Sequence, residues 1–569
     1  MTPTNHTGDL PQDRRVDRRS FLERLSALIA ATAMGEAAFP SMAAGGVAPF
    51  RSRFAPVGPG RSLPPVSAIR ETDPWEMTVA ELASLLRTGE LAPVELVQGY
   101  LDRIGAFDPM LKAFNTVTAE QALREARRAE ALPWAGPLHG IPLAVKDNYY
   151  TAGVVTTANS HIFAEFVPEF DATCWARLKD AGAILLGKTQ MGPLATSRAT
   201  TPDGENTTRN AWAPEDPDVS PGGSSSGSAT AVAARLAPSA TGTQTGGSIT
   251  NPSGRQALTG IKPTMGRASL HGIIPLTYTR DHPGPLARDA RDAALMLQAM
   301  AGPDPMDPRT LGAPPVPDFA AATGDGVGLR WPTTIGVLPG YLEAGRGAWS
   351  FRGFRWRQGE TPEERERRRE LARARGEAEI TARRKMLDTF SALGARVVEV
   401  EYPSEWEKLT SFNFNNVRLP ERSEAFLKYL RRDVRLFGVS LSPWVNGLLL
   451  PGAEFLRGQR ARVHLLVRIL EEIFDRCDVV VQTSPIPFDM VGLPPITFPI
   501  GFEETRGIPL PIPALLGGMP WGEERLLNLA AAYQVVTDWH RRAPAPLPEG
   551  EAPRPAGRTD VLDVYLEGE

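Results

Sequence analysis

The chain has two cysteines in 569 residues. Cys174 and Cys477 lie too far apart in sequence for a disulfide framework or a shared metal motif, and both are expected in the core. Histidine is also scarce: there are seven, and none falls in a ligand spacing such as HExxH. His139 and His271 read as structural or pocket-lining, and neither a metal nor a cofactor is expected. A net charge of −4 removes any general attraction to nucleic acid or to an anionic membrane surface. The mature chain is expected to have no stable membrane span, and the apolar run near the N-terminus is itself too short to form one. Lysine is the remaining scarcity, with eight against 54 arginines. Arginine cannot act as a base, so a lysine in an apolar setting stands out.

One lysine is so placed. Lys146 ends the run Ile141-Pro142-Leu143-Ala144-Val145, which reads as a short buried strand. Burial disfavours the charged form. To act as a base near neutral pH, this lysine needs its pKa lowered by about 3 units from about 10.4, roughly 4 kcal/mol. Two glycine-serine stretches follow, GGSSSGS at 222–228 and TQTGGSIT at 243–250. Ser248 comes directly after Gly246 and Gly247, and only glycine lets backbone N–H groups crowd so closely around a reacting carbonyl. Ser248 is the expected nucleophile, and a hydroxyl needs a neighbouring base to become one. GGSSSGS alone would read as a linker, but it runs into ATAVAARLA, a small-residue helix that a linker would not feed.

These segments resemble the amidase signature family. The likeness begins at MTVAELASLLRTGELAPVELVQGYLDRI (77–104) and runs through GPLHGIPLAVKDN, DATCWARLKDAGAILLGKT, both glycine-serine stretches, GIKPTMGRASLHGIIP and DHPGPLARDARDAALML. It resumes in AAAYQVVTDWHRR at 530–542. The resemblance implies an α/β fold, a single large α/β/α sandwich around a mixed sheet. It implies that Lys146 is the base, Ser224 a relay serine after a cis peptide bond, and Ser248 the acylated nucleophile. Oxyanion donors would be the backbone N–H groups of Thr245, Gly246, Gly247 and Ser248, with Gln190, Ser225, Gln244 and Thr250 as loop support. The implied reaction is hydrolysis of a small-molecule amide, or of an ester, anilide or carbamate, through an acyl-enzyme.

The family commonly has an acid at position 244 and often an arginine at position 250, where this chain has Gln244 and Thr250. With no formal charge at either position, neutral substrates are expected over those carrying a carboxylate. The same departures leave open a catalytically silent member acting as a binding protein. A nucleotide-binding alternative comes from Gly182–Thr189, GAILLGKT, which satisfies GxxxxGK[ST]. It is disfavoured because residues 171–181 read as a helix capped by Gly182, and Ala183-Ile184-Leu185-Leu186 reads as a strand where the phosphate cradle should be.

At the N-terminus, Arg18-Arg19-Ser20-Phe21-Leu22 precedes an apolar run to Phe39 and then Ser41-Met42-Ala43. This layout is expected to be a twin-arginine signal at 1–43 that exports the protein, and it argues against the cytoplasmic tRNA-dependent amidotransferase component that shares these motifs. An extended lead-in is expected at 44–74, the amidase domain at 75–542, and a loose tail at 543–569. A charged insertion near 343–385 reads as a solvated helix. Phe412, Phe414 and Trp444, between 412 and 463, are aromatic candidates for a substrate-facing wall.

Overall fold

Eleven short strands, among them the apolar runs Pro142–Lys146, Val479–Val481 and Pro495–Glu503, form one mixed sheet. In chain order they are β1 (Phe114–Val117), β2 (Pro142–Lys146), β3 (Ile184–Thr189), β4 (Ser239–Gln244), β5 (Thr259–Ile261) and β6 (His282–Ala287). They continue with β7 (Thr334–Val337), β8 (Arg396–Glu399), β9 (Val479–Val481), β10 (Pro495–Glu503) and β11 (Leu510–Gly518). The computed structural model describes residues 73–200, 206–324, 328–343, 361–411, 413–504 and 507–546. The expected leader, nearly all of the lead-in and most of the tail lie outside the described residues, as does Phe412.

The spatial order is β1-β3-β2-β4-β6-β5-β10-β11-β9-β7-β8. β2 runs parallel to both β3 and β4, and β7 parallel to β8 and β9. The pairs from β4 through β9 are antiparallel. Successive strand residues point to opposite faces, and β9 shows what each face meets. Val479 and Val481 join a core with Phe390, Leu527 and Tyr533, whereas Val480 joins another with Leu465, Ile469 and Phe488. Both faces are therefore covered by helices, and the fold is the expected α/β/α arrangement.

Several boundaries follow local chemistry. Thr78 caps the helix Val79–Thr88 in a reciprocal capping box with Glu81. The helix Ser226–Ala233 is buried at every position, so its small side chains serve close packing. The closing helix runs from Glu523 to Val535, and Trp539–Arg541 forms a separate 3-10 turn. The charged segment becomes the helix Pro362–Ala392. It is not solvated throughout, for Glu379 and Arg383 are buried and paired with each other, and Met386 and Phe390 enter the core. No described helix is long and apolar enough to cross a membrane.

Candidate active site

β2 and β4 are parallel neighbours, so both deliver their C-terminal ends to the same edge of the sheet, where ligands gather in open α/β sheets. Lys146 is the last residue of β2 and the glycine turn follows Gln244, the last of β4. Threonines at 241, 243 and 245 occupy alternate positions on and just beyond β4. Two of them meet Lys146: its N–H donates to Thr241 Oγ1 (3.0 Å), and its Nζ lies 2.8 Å from Thr243 Oγ1. The same Nζ lies 2.9 Å from Ser224 Oγ and 3.4 Å from the Thr243 carbonyl. All of these partners are neutral and the side chain is buried. Burial pulls Lys146 down to about 7, against a smaller upward pull from Asp281.

The Gly223–Ser224 peptide is cis. A side chain at residue 223 would place its Cβ 2.5 Å from the Ser197 carbonyl oxygen, so only glycine fits before this serine. The Ser224 carbonyl accepts from the Gly192 N–H (2.9 Å). Gln190, two residues earlier, accepts from Gly227 N through its backbone and from Asn159 Nδ2 (2.6 Å) through its side chain. Gln190 therefore props the serine-rich segment from behind. Ser225 links the two glycine-serine stretches, its hydroxyl donating to the Ser248 carbonyl at 2.6 Å.

In the glycine turn, Gly246 is exposed, Ser248 is half-buried, and Gly247 has φ +90°, a conformation that favours glycine. The Ser248 hydroxyl has no hydrogen-bond partner among the described residues. The expected set of oxyanion donors needs one correction: the Gly247 N–H is committed to Asp489 Oδ2 at 2.8 Å. The N–H groups of Thr245, Gly246 and Ser248 have no such partner among the described residues.

Gln244 explains how the turn holds its shape without an acid at that position. Its Oε1 accepts from Ile249 N and Thr250 N, each at 2.9 Å, and from Thr250 Oγ1. Its Nε2 donates to both carboxylate oxygens of Asp489, at 2.8 and 3.0 Å. Asp489 lies in the helix Ile486–Val491, and the charge that braces the turn thus comes from another element. Burial raises Asp489, with Lys262 opposing. Gln244→Glu would set two buried carboxylates against each other and delete two hydrogen bonds. It is expected to destabilise the fold by about 3 kcal/mol at pH 8 and by less at pH 5.5, where the pair can share a proton. Thermal unfolding at the two pH values tests this, and a loss that does not grow with pH would refute the contact.

The sequence did not disclose Thr243, Asp281, Asp489 or Arg280. Thr243 carried a signal in the alternating threonines of β4. Asp281 accepts from the Thr245 hydroxyl and from Leu276 N and Thr277 N. Arg280 donates to the Thr245 carbonyl at 2.8 Å. Among the aromatic candidates, Phe414 faces the turn, with its ring edge 3.5 Å from where a Gly246 Cβ would sit. Trp444 is buried in a cluster with Phe426 and Phe437. The nucleotide-binding alternative fails on geometry. Ile184–Thr189 is a fully buried strand, and Lys188 is bound to the Tyr149 carbonyl and Thr156 Oγ1.

Residues 95–330 match the family model described as Amidase. The chain is 36% identical over 522 residues to the A subunit of glutamyl-tRNA(Gln) amidotransferase from Roseiflexus sp. (strain RS-1), covering 82% of this chain and 98% of the relative. To the protein of the same name from Moorella thermoacetica it is 34% identical, over 83% of this chain and 98% of the relative. The solved structure of peptide amidase from Stenotrophomonas maltophilia superposes with a TM-score of 0.63 at 29% identity, covering 83% of this chain and 98% of that one. The curated relatives correct the expectation of export. They are named as subunits of a glutamyl-tRNA(Gln) amidotransferase, the very kind of protein that the export reading argued against, so export is not retained. The segment on which that expectation rested, 1–43, lies outside the described residues.

Proposed function

This chain belongs to the amidase signature family, hydrolases of carbon–nitrogen amide bonds, and on that premise we propose that Lys146, Ser224 and Ser248 carry the reaction. The observation that supports these roles most directly is the 2.9 Å approach of Lys146 Nζ to Ser224 Oγ in a buried setting whose desolvation favours a neutral amine. Ser248 Oγ attacks the amide carbonyl carbon and passes its proton to Ser224, which gives its own to Lys146. The tetrahedral oxyanion is met by N–H groups of the glycine turn, those of Thr245, Gly246 and Ser248. As the carbon–nitrogen bond breaks, the relay returns a proton to the leaving nitrogen, leaving an ester on Ser248. Water, deprotonated by the same relay, then releases the acid and restores the hydroxyl. Gln190, Ser225, Gln244 and Thr250 support the two loops. Residues 75–542 are taken as one amidase domain, because strands from both ends of that span join in a single sheet through the β5–β10 pair.

Incubation of the purified chain with a fluorophosphonate, followed by peptide mapping, is expected to place the label on Ser248. A panel of primary amides, anilides, esters and carbamates is expected to show turnover. Neither label nor turnover would refute the reading and favour a silent member. A second reading, a component of an amidotransferase assembly, is favoured by 36% identity to a protein so named. Label on Ser248 with no turnover by the isolated chain would favour it.

A further inference from the structure

The wall beside the glycine turn carries four arginines: Arg280, Arg418, Arg422 and Arg462. None of them forms an ion pair among the described residues. Two are held by backbone carbonyls, and the other two are not. Arg280 donates to the carbonyls of Thr245 and Phe414, and Arg462 to those of Met490 and Thr279. Arg418, half-buried, reaches only Asn415 Oδ1 (2.9 Å) and stacks at 4.5 Å on Phe414, the ring that faces Gly246. Arg422, one turn further along the helix Asn413–Ala425, is 3% exposed and has no hydrogen-bond partner among the described residues. Its guanidinium lies 5.2 Å from the centre of the Trp444 ring. The charges of Arg418 and Asp281 both bear on it, and Asp281 holds Thr245 at the entrance to the glycine turn.

A buried cation without a carboxylate is costly unless something else supplies the negative charge. Burial pulls Arg422 down to about 9, so it remains a cation at neutral pH. The carboxylates nearby are already engaged: Asp489 with Gln244 and Gly247, Asp281 with Thr245 and two backbone N–H groups, and Glu421 with Thr279. None of these carboxylates pairs with Arg418 or Arg422, which leaves both guanidinium groups without an anionic hydrogen-bond partner among the described residues.

We propose that Arg422, with Arg418 beside it, binds a carboxylate carried by the amide substrate. This rests on the acyl-transfer reading above and reverses the expectation of neutral substrates drawn from Gln244 and Thr250. Charge recognition has moved from the glycine turn to the facing helix. The carboxylate can belong to the acyl part or to the leaving amine, and matched substrates separate the two. Succinamate against butyramide places the charge on the acyl side, and 4-butyramidobenzoate against butyranilide places it on the amine side.

In the full-length chain, one charged member is expected to exceed its neutral match at least about tenfold in kcat/KM. Arg422→Gln should cut that ratio by about thirtyfold or more, the usual consequence of removing one partner of a buried charged contact. Taking the ratio within each variant cancels any loss of folded protein. If Arg422→Gln yields no folded protein, the parent chain still gives a decision. Succinate should protect Ser248 from fluorophosphonate labelling at concentrations at least about tenfold below those needed with butyrate, which lacks the second carboxylate. Neutral members turned over as well as charged ones, a ratio untouched by Arg422→Gln, or equal protection by succinate and butyrate would each overturn the proposal while leaving the acyl-transfer reading in place. Absence of both Ser248 labelling and amide turnover would overturn both.

Discussion

Ser248→Ala is expected to lower kcat for amide hydrolysis by about four orders of magnitude or more, with no measurable loss of stability. The size of the effect follows from losing the atom that forms the acyl bond. The residual rate of such variants comes from binding and oxyanion stabilisation alone. Stability should be spared because the Ser248 hydroxyl has no hydrogen-bond partner among the described residues, and the side chain is only half-buried. The contact that ties this residue to its neighbour is the backbone carbonyl, which accepts from Ser225 and survives the substitution. The unfolding free energy should stay within about 0.5 kcal/mol of the parent. Turnover, fluorophosphonate labelling and thermal unfolding measured on one preparation check the claim. Parent-like turnover in the variant would remove Ser248 from the mechanism.

Lys146 gives the second large effect. In the proposed role its active form is the neutral amine, and burial brings its pKa to about 7. Below that value kcat/KM should fall tenfold for each pH unit as the amine is protonated, and above it the profile should be flat. The sign is fixed by the chemistry, since acid removes the base. Lys146→Ala and Lys146→Arg should both lose about three orders of magnitude or more in kcat, because a guanidinium keeps the charge but accepts no proton. An arginine variant with a tenth of parent activity, or a profile whose acid limb lies near 4 or above 9, would show that another group takes the proton.

Much of this site was readable because its chemistry sits in local patterns. The apolar run of β2 carried the information that Lys146 is buried, and the glycines around Ser224 and Ser248 marked close backbone approach. The same reading exposed the resemblance of GAILLGKT to a phosphate loop as accidental, for a strand fills Ile184–Thr189. What escaped was long-range. Gln244 looked like the loss of a charge, yet that charge is supplied by Asp489, 245 residues later. No periodicity or spacing connects those positions. The role of the Gly247 N–H was misjudged for the same reason, since only the folded chain brings Asp489 beneath it. Phe414 and Trp444 were equally plausible as wall aromatics in sequence. The helix Asn413–Ala425 turns one toward Gly246, and the neighbouring helix Ser442–Leu449 buries the other.

The tie between Asp489 and the glycine turn also sets an order of events during synthesis. A ribosome makes Lys146, Ser224 and Ser248 in the first half of the polypeptide. The carboxylate that fixes Gly247 and Gln244 emerges only near the end, followed by β10 and β11, which extend the sheet beyond β5. A growing chain that has passed residue 330 therefore holds the three side chains proposed to react but not the carboxylate that braces the glycine turn. The hydrogen bonds that hold Gln244 and Gly247 can therefore form only after residue 489 has been made.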